Sequence, residues 1–246
     1  MSAPLVRRSP VHTGVVVSAR QLTPRMRRVT VQAESMREIE LRPAQDVELH
    51  LRAEGGRRVK RRYTIRHARP QTGELDLDVV LHGAGPGALW GATAAPGDEV
   101  SFQGPRGKLE LRGARSHLLV GDESALPAIA AICEALPDDE PATAVVEVRD
   151  AADELPVRAR TRWVHRGETP PGGAELLADT LTEAFETEAV ESDALDGTHA
   201  YLLGETRAMV ALRALLEGRG LAHEAVFVKG YWNLGRPDRL AGRAPG

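Results

Sequence analysis

The sequence predicts a β-rich unit followed by an α/β unit, and two observations support this prediction. Six short strand-like runs, separated by turn residues, fall within about the first hundred residues. Closely spaced short strands of this kind are typical of a barrel or a sandwich. After Gly113 the pattern changes to strands that alternate with helices, which is typical of a doubly wound parallel sheet. We therefore predict one unit over residues 1–113 and a second over 114–246.

The strands of the first unit are predicted from apolar residues that alternate with polar residues or cluster together. The alternation is clearest at residues 74–82, where Leu75, Leu77 and Val79 fall on one face of a strand and acidic residues fall on the other. One helix, over 86–94, interrupts the series. The six predicted strands cover residues 11–20, 27–32, 46–52, 61–66, 74–82 and 98–104.

In the second unit, apolar strands alternate with amphipathic helices. Asp122 or Ser124 is expected to cap the first helix, and Gly218 and Gly220 are expected to end the last one. Ligands of such paired units are expected in the cleft between them, at the carboxyl ends of the parallel strands. The strands are predicted at 116–121, 142–149, 161–166, 199–204 and 224–232, and the helices at 122–136, 174–185 and 205–220.

Composition excludes several classes of function. The formal net charge is −3, so no global basic field recruits nucleic acid. A single cysteine, Cys133, excludes an internal disulfide, a cysteine-rich zinc site and a cysteine-ligated iron–sulfur cluster. The eight histidines show no metal-binding spacing, so we predict no protein-bound metal.

The start of the chain and its hydropathy indicate where the protein works. The first ten residues contain no apolar stretch of the signal-peptide kind, and no run approaches the length of a transmembrane span. We therefore expect a cytoplasmic protein that does not bind membranes, and we expect it to be a monomer.

Two segments carry residues suited to a phosphate-bearing ring cofactor. In HGAGPGALWG (82–91), glycines precede a helix start, whose free N–H groups can hold an anion. In RRYTIR (61–66), an arginine can bind phosphate, a tyrosine can lie against a planar ring, and a threonine can bond a heterocycle nitrogen. Taken alone, each segment is equally well explained as an ordinary turn or a half-exposed strand.

Together, the two segments resemble the flavin-binding signature of the ferredoxin–NADP reductase superfamily. Finer details resemble its siderophore-interacting protein branch, the flavin-dependent ferric-siderophore reductases. The resemblance covers roughly residues 11–236, in the family's order of motifs. The matching stretches are RRYTIR, GELDLDVVLHGAGPGALWGATAAPGDEVSFQGPRG, LLVGDESALPAIAAICEALP, YLLGETRAMVALRALLEGRG and VFVKGYWNLGR.

The resemblance implies a six-stranded antiparallel FAD-binding barrel followed by a doubly wound NAD(P)H-binding-like domain. It implies that Arg61 contacts the FAD diphosphate, that Tyr63 packs on the isoalloxazine or ribityl portion, and that Thr64 faces the flavin N5 region. Family members often carry Ser or Thr where this chain has Ala88 or Leu89, which leaves backbone donors to hold the phosphate. The other cofactor-binding residues that it implies are His82, Gly85, Gly87, Ala88, Asp122, Glu123, Tyr231 and Trp232.

The resemblance also implies the reaction and the substrate. A flavin accepts a hydride and releases single electrons, so it can couple a two-electron donor to reduction of iron that arrives already chelated. Many ferric siderophores are anionic, so a basic cleft would steer them. Thr64 and Lys229 are the residues predicted to act in the reaction, Lys229 by steering the substrate. The candidate substrate-binding cations, each of which is as well explained singly as a solvated surface charge, are Lys60, Arg66, Arg106, Lys229, Arg236 and Arg239.

The sequence leaves the electron donor and some alternative functions open. Arg207 or Arg213 could bind the 2′-phosphate of NADPH, but NADH or a ferredoxin remains a possible donor. The alternatives to a ferric-siderophore reductase are a non-catalytic carrier of flavin or siderophore and another flavin reductase of the same superfamily.

Overall fold

The computed structural model describes residues 10–37, 39–83, 85–187 and 195–235. It confirms the predicted fold class. Six antiparallel strands close into a barrel, and five parallel strands form a second sheet that carries helices.

The barrel contains all six predicted strands, which are numbered β1 to β6 in chain order and given with their bounds at the end of this paragraph. Around the barrel, their order is β1-β2-β5-β4-β3-β6. Leu75, Leu77 and Val79 of β5 point into the barrel core, as their alternation predicted. A helix, α1 (Pro86–Thr93), lies between β5 and β6. The strands are β1 (Val11–Thr23), β2 (Met26–Gln32), β3 (Asp46–Arg52), β4 (Arg58–Arg69), β5 (Glu74–Val80) and β6 (Glu99–Arg106).

The five strands of the second sheet are numbered β7 to β11 in chain order. They lie in the order β11-β10-β7-β8-β9, and every neighbouring pair is parallel. Helix α2 packs on one face, and α3 and α4 pack on the other, so the sheet is doubly wound. No helix in the described part of the chain has the length and apolar character needed to cross a bilayer. The elements are β7 (Ser116–Asp122), α2 (Leu126–Ala135), β8 (Ala142–Val148), β9 (Arg160–His165), α3 (Glu175–Thr187), β10 (Thr198–Glu205), α4 (Thr206–Gly218) and β11 (Val226–Trp232).

The expected cap of α2 is wrong. The helix begins at Leu126 after Ala125, whose side chain makes no capping bond. The carboxylate of Asp122 instead accepts the N–H and the hydroxyl of Ser124, at 2.9 and 2.5 Å. These residues therefore form a tight turn between β7 and α2, because the aspartate bonds to the backbone two residues on.

The acidic face of β5 is buried as well as its apolar face. Arg28 donates from two nitrogens to Asp78 at 2.6 and 2.8 Å. Arg69 donates to both oxygens of Asp76 at 2.8 and 3.0 Å, and the Thr30 hydroxyl donates to Asp76 at 2.8 Å. The outside of the barrel therefore carries a layer of paired charges, in which each carboxylate has charged hydrogen-bond donors.

Ion pairs connect the barrel to the elements that follow it. Arg66 of β4 donates to both oxygens of Glu134 on α2, at 2.5 and 2.7 Å. Near the start of β2, Arg25 pairs with Asp153 and, at 3.2 Å, with Asp150. Helix α2 consequently lies between the barrel and the sheet. The domain boundary near residue 113 stays a prediction.

We predict that Asp76→Asn lowers the free energy of unfolding by about 2 kcal/mol at neutral pH. Burial alone would raise the pKa of Asp76, but the bonds from Arg69 and Thr30 outweigh it and lower that pKa to about 2. The folded-state pKa lies below the unfolded value, so this stabilisation is present above about pH 4 and is lost as the pH falls toward 2.

Urea unfolding of both proteins across this pH range measures the effect. The difference between wild type and Asp76→Asn should shrink as the pH falls. Asp139→Asn, at an exposed loop position, is the control. A difference that stays constant with pH would contradict the assignment.

Candidate functional site

A cavity of about 470 Å³ lies where the barrel meets the carboxyl ends of the parallel strands. Residues of β4 and the start of α1 form one wall, and residues of β11 form the other. The predicted site residues that line it are Arg61, Tyr63, Thr64, His82, Gly85, Gly87, Ala88, Lys229, Tyr231 and Trp232.

Tyr63 and Gly87 explain why the two sequence motifs occur together. The ring of Tyr63 lies 5.9 Å from that of Trp90, between centroids. A Cβ atom on Gly87 would stand 2.2 Å from the Tyr63 hydroxyl oxygen, so the first turn of α1 approaches the tyrosine as only glycine allows. Burial raises the pKa of Tyr63, so its hydroxyl stays protonated.

The start of α1 supplies backbone donors to the cavity. Gly85 precedes the helix and provides no side-chain cap, and Pro86 begins it. The N–H groups of a first helical turn have no partner within the helix, and they suit an anion. Arg61 lines the same cavity, and its guanidinium donates to the Lys60 carbonyl at 2.9 Å. This arrangement suits a phosphate group.

Lys229 joins the two walls of the cavity. Its ammonium donates to the Asp46 carboxylate at 2.8 Å and to the Ala44 carbonyl at 3.3 Å. It also lies 5.0 Å from the centre of the Tyr231 ring. Burial lowers the pKa of Lys229, but Tyr231 and Asp46 outweigh burial and raise it. Lys229 is therefore a charged link between β11 and the start of β3.

Two polar atoms at the cavity are buried without a hydrogen-bond partner in the described part of the chain: Asp46 Oδ1 and the Tyr231 hydroxyl. Burial raises the pKa of Tyr231, and the neighbouring Lys229 and Thr64 side chains only partly offset this. Buried polar atoms without a partner are rare and call for an explanation. The cavity that these two residues line has room for a planar heterocycle with N–H and carbonyl edges. Together with the phosphate-binding features, these residues fit FAD.

Asp46 was missed by the sequence analysis. Its local sequence carries no motif, and only the pairing of β3 with β4 brings it opposite Thr64. The remaining lining residues that were not assigned to the site are Arg62, Asp78, Val80, Ser124, Pro127, Gly230, Asn233 and Gly235.

Asp122 and Glu123 do not line the cavity, although both were predicted to bind the cofactor. Besides holding Ser124, Asp122 accepts the Glu205 N–H at 3.0 Å and the Trp232 indole N–H at 2.8 Å. Glu123 pairs with Arg166 at 2.5 and 2.8 Å. Asp122 thus fixes Trp232, which does line the cavity. The predicted cofactor role of the two acids stays a prediction.

Of the four predicted substrate cations that the structure describes, three lie outside the cavity lining and Lys229 lies in it. Lys60 and Arg106 donate to the buried Glu48 at 2.7 and 3.0 Å. Burial alone would raise the pKa of Glu48, but these cations outweigh it and lower that pKa. Arg66 pairs with Glu134, as described above. Arg236 and Arg239 lie outside the described residues.

No group of three or more His, Cys, Asp or Glu side chains in the described ranges is arranged to hold a metal ion.

The fold and the cavity define a ferredoxin reductase-like flavoprotein, and comparisons with known proteins agree. A family model of the siderophore-interacting FAD-binding domain matches residues 44–109. A second model, of the siderophore-interacting protein, matches residues 114–235. The chain therefore belongs to the siderophore-interacting protein family, as its motifs indicated.

Individual relatives support this assignment. A siderophore utilization protein from T. fusca, whose crystal structure has been solved, is 33% identical to this chain in sequence. Its structure matches with a TM-score of 0.80 over 92% of this chain and 94% of that chain. Ferric vibriobactin reductase ViuB of Vibrio cholerae is 32% identical over 73% of this chain and 66% of its own length. Ferredoxin-NADP+ reductase from Plasmodium falciparum is 11% identical, with a TM-score of 0.74 over 90% and 96% of the two chains, and it shares the fold.

We predict that Gly87→Ala lowers the free energy of unfolding by about 1–3 kcal/mol, because the new methyl group would overlap the Tyr63 hydroxyl. Tyr63→Phe in the Gly87→Ala background should recover most of this loss, since it removes the overlapping atom. Chemical denaturation of the four proteins of this double-mutant cycle measures the coupling.

Gly85→Ala is the matched control, because a Cβ atom there meets nothing within 4 Å. Equal losses for Gly85→Ala and Gly87→Ala, or additive effects of Tyr63→Phe and Gly87→Ala, would contradict the close approach.

Proposed function

We propose that the protein is an FAD-dependent ferric-siderophore reductase, which releases iron by reducing the Fe(III) chelate to Fe(II). The observation that carries this proposal is the convergence of Arg61, Tyr63, the start of α1, Asp46 and Tyr231 on one cavity. Membership of the siderophore-interacting family and similarity to a ferric vibriobactin reductase support it. We further propose that it acts as a monomer in the cytoplasm.

The residues of the cavity have distinct proposed tasks. Arg61 and the N–H groups at the start of α1 hold the diphosphate of FAD. Tyr63 supports the ring system from the barrel, and Thr64 and Tyr231 present hydroxyls to its polar edge. When bound, FAD takes two electrons from a donor and delivers them one at a time to iron.

Charge at the cavity favours an anionic chelate. The cations in and beside it outnumber the carboxylates that pair with them, so the region is net positive. Lys229 is paired with a buried carboxylate, and its long-range field is therefore largely offset. Lys60 and Arg62 are more exposed, with side-chain exposures of 50% and 37%, and we infer that they contribute more of the steering. The cations are Lys60, Arg61, Arg62, Arg106 and Lys229, and the carboxylates are Asp46 and Glu48.

The donor is proposed to be NADPH, NADH or a ferredoxin. Of the two arginines predicted for a 2′-phosphate, Arg213 donates to Glu217 at 2.8 Å, whereas Arg207 is exposed at the start of α4. In the first turn of α4, the N–H groups of Arg207 and Ala208 already donate to the Glu205 carboxylate at 2.6 and 2.8 Å. A nucleotide phosphate would have to displace this carboxylate, so all three donors need testing.

An anaerobic absorbance titration of the FAD-reconstituted protein tests the donor and the activity. NADPH, NADH and reduced ferredoxin are added in separate experiments, and a ferric siderophore and a ferrous trap follow. We expect at least one donor to bleach the flavin, and ferrous iron to appear after the siderophore is added. Bleaching without ferrous iron would favour a carrier. Faster reduction of free flavin or quinone than of iron chelates would favour another flavin reductase.

We predict that Arg61→Ala weakens FAD binding by about tenfold to a hundredfold, because a charged hydrogen bond to phosphate is worth about 1.5–3 kcal/mol. A fluorescence titration of the apoprotein with FAD measures the affinity. Arg58→Ala is the control, since Arg58 lies on the same strand but does not line the cavity. If the two variants bound FAD with equal affinity, Arg61 would not be a phosphate-binding residue.

A further inference from the structure

A second cavity, of about 260 Å³, lies between the outside of the barrel and α2. One side is apolar and includes Leu126 and Ala130 of α2, with Leu155 from the segment after β8. Asp78 and Pro127 line both cavities. The second cavity is therefore a direct neighbour of the proposed FAD cavity.

The opposite side of the second cavity carries Arg20, Arg28 and Arg66, which come from β1, β2 and β4. Arg28 is fixed by Asp78, and Arg66 by Glu134, each through two hydrogen bonds. The side chains of Arg28 and Arg66 are only 13% and 9% exposed. These two guanidinium groups are thus held in place by the protein before any ligand arrives.

Arg20 differs from the other two arginines. It is exposed, and no ion pair among the described residues involves it. Since Asp78 pairs with Arg28 and Glu134 pairs with Arg66, Arg20 is left as the unpaired positive charge of the described lining. A ligand that fits this cavity should therefore carry negative charge where it meets Arg20.

We propose that the second cavity binds a single aromatic ring that carries one or two negative charges, such as an aryl carboxylate or a catecholate. Guanidinium groups both stack on aromatic rings and bond to anionic oxygens. A hydrated inorganic anion would leave the apolar side unfilled. A cavity of about 150 Å³ can hold benzene, so this larger one has room for a substituted ring.

Two sources can supply this chemistry: a free aromatic acid, or an aromatic iron-binding arm of a chelate. The proposal does not depend on the reductase activity, because binding needs no electron donor. It assigns a ligand class to a cavity that the proposed FAD site does not use.

Isothermal titration calorimetry of the FAD-reconstituted protein tests the proposal, because FAD fills the first cavity. Salicylate is the free-acid probe, a ferric tris-catecholate complex is the chelate probe, and benzyl alcohol is the uncharged ring. We expect saturable binding of at least one anionic probe and much weaker binding of benzyl alcohol. Binding of salicylate would show that a free aromatic acid is enough to occupy the cavity. Binding of the ferric complex without binding of salicylate would show that the ligand is the aromatic arm of a chelate.

Arg20→Glu should weaken binding of the anionic probe by at least about tenfold, because it replaces a charged donor with a repelling carboxylate. Arg52→Glu makes the same charge change at an exposed position that lines neither cavity, and it should leave the affinity unchanged. Leu155→Trp should abolish binding by filling the apolar side while Arg20 is kept.

Three results would overturn the proposal: no saturable binding of either anionic probe, equal binding of benzyl alcohol, or equal effects of Arg20→Glu and Arg52→Glu. FAD content and thermal unfolding of each variant show that it has folded. Since binding is read as heat, a protein that failed to reduce iron would still give a clear result.

Discussion

The ion pair between Lys229 and Asp46 is the interaction on which the candidate site depends. It connects the last strand of the parallel sheet to the third strand of the barrel, across the cavity. Both side chains are largely buried, with exposures of 19% and 6%. Removing one partner of a buried pair leaves an uncompensated charge, which typically costs about 3–5 kcal/mol. The pair therefore holds the two walls at a fixed separation, which a planar cofactor requires.

Other contacts hold each wall in shape. On the barrel side, Gly87 lets α1 approach the Tyr63 hydroxyl, so the proposed phosphate-binding turn lies directly against the proposed ring-binding strand. On the sheet side, Asp122 fixes Trp232 and the backbone of Glu205. Asp122, which the family resemblance assigned to cofactor binding, thus positions an aromatic side chain and a strand end.

Local sequence patterns predicted most of the fold, and the family resemblance predicted ten of the nineteen residues that line the cavity. Period-2 alternation identified β5 and its core face, and the motif at Arg61 and Tyr63 marked one wall of the cavity. What local patterns could not show were contacts between distant segments. The burial of Asp76 depends on Arg69 and Thr30 across neighbouring strands, and the role of Asp46 depends on strand pairing with β4. The sequence showed that Lys60 and Arg106 are charged, but it did not show that both pair with Glu48.

The central claim is that the cavity between barrel and sheet holds FAD in a position to reduce a chelated ferric ion. The most direct test is a single turnover: the FAD-reconstituted protein is photoreduced anaerobically and mixed with an excess of a ferric siderophore and a ferrous trap. The account predicts that flavin absorbance returns as ferrous iron forms, with about two ferrous ions for each flavin. Reduced flavin that persists in the presence of the ferric siderophore, but is oxidised by a quinone, would contradict it.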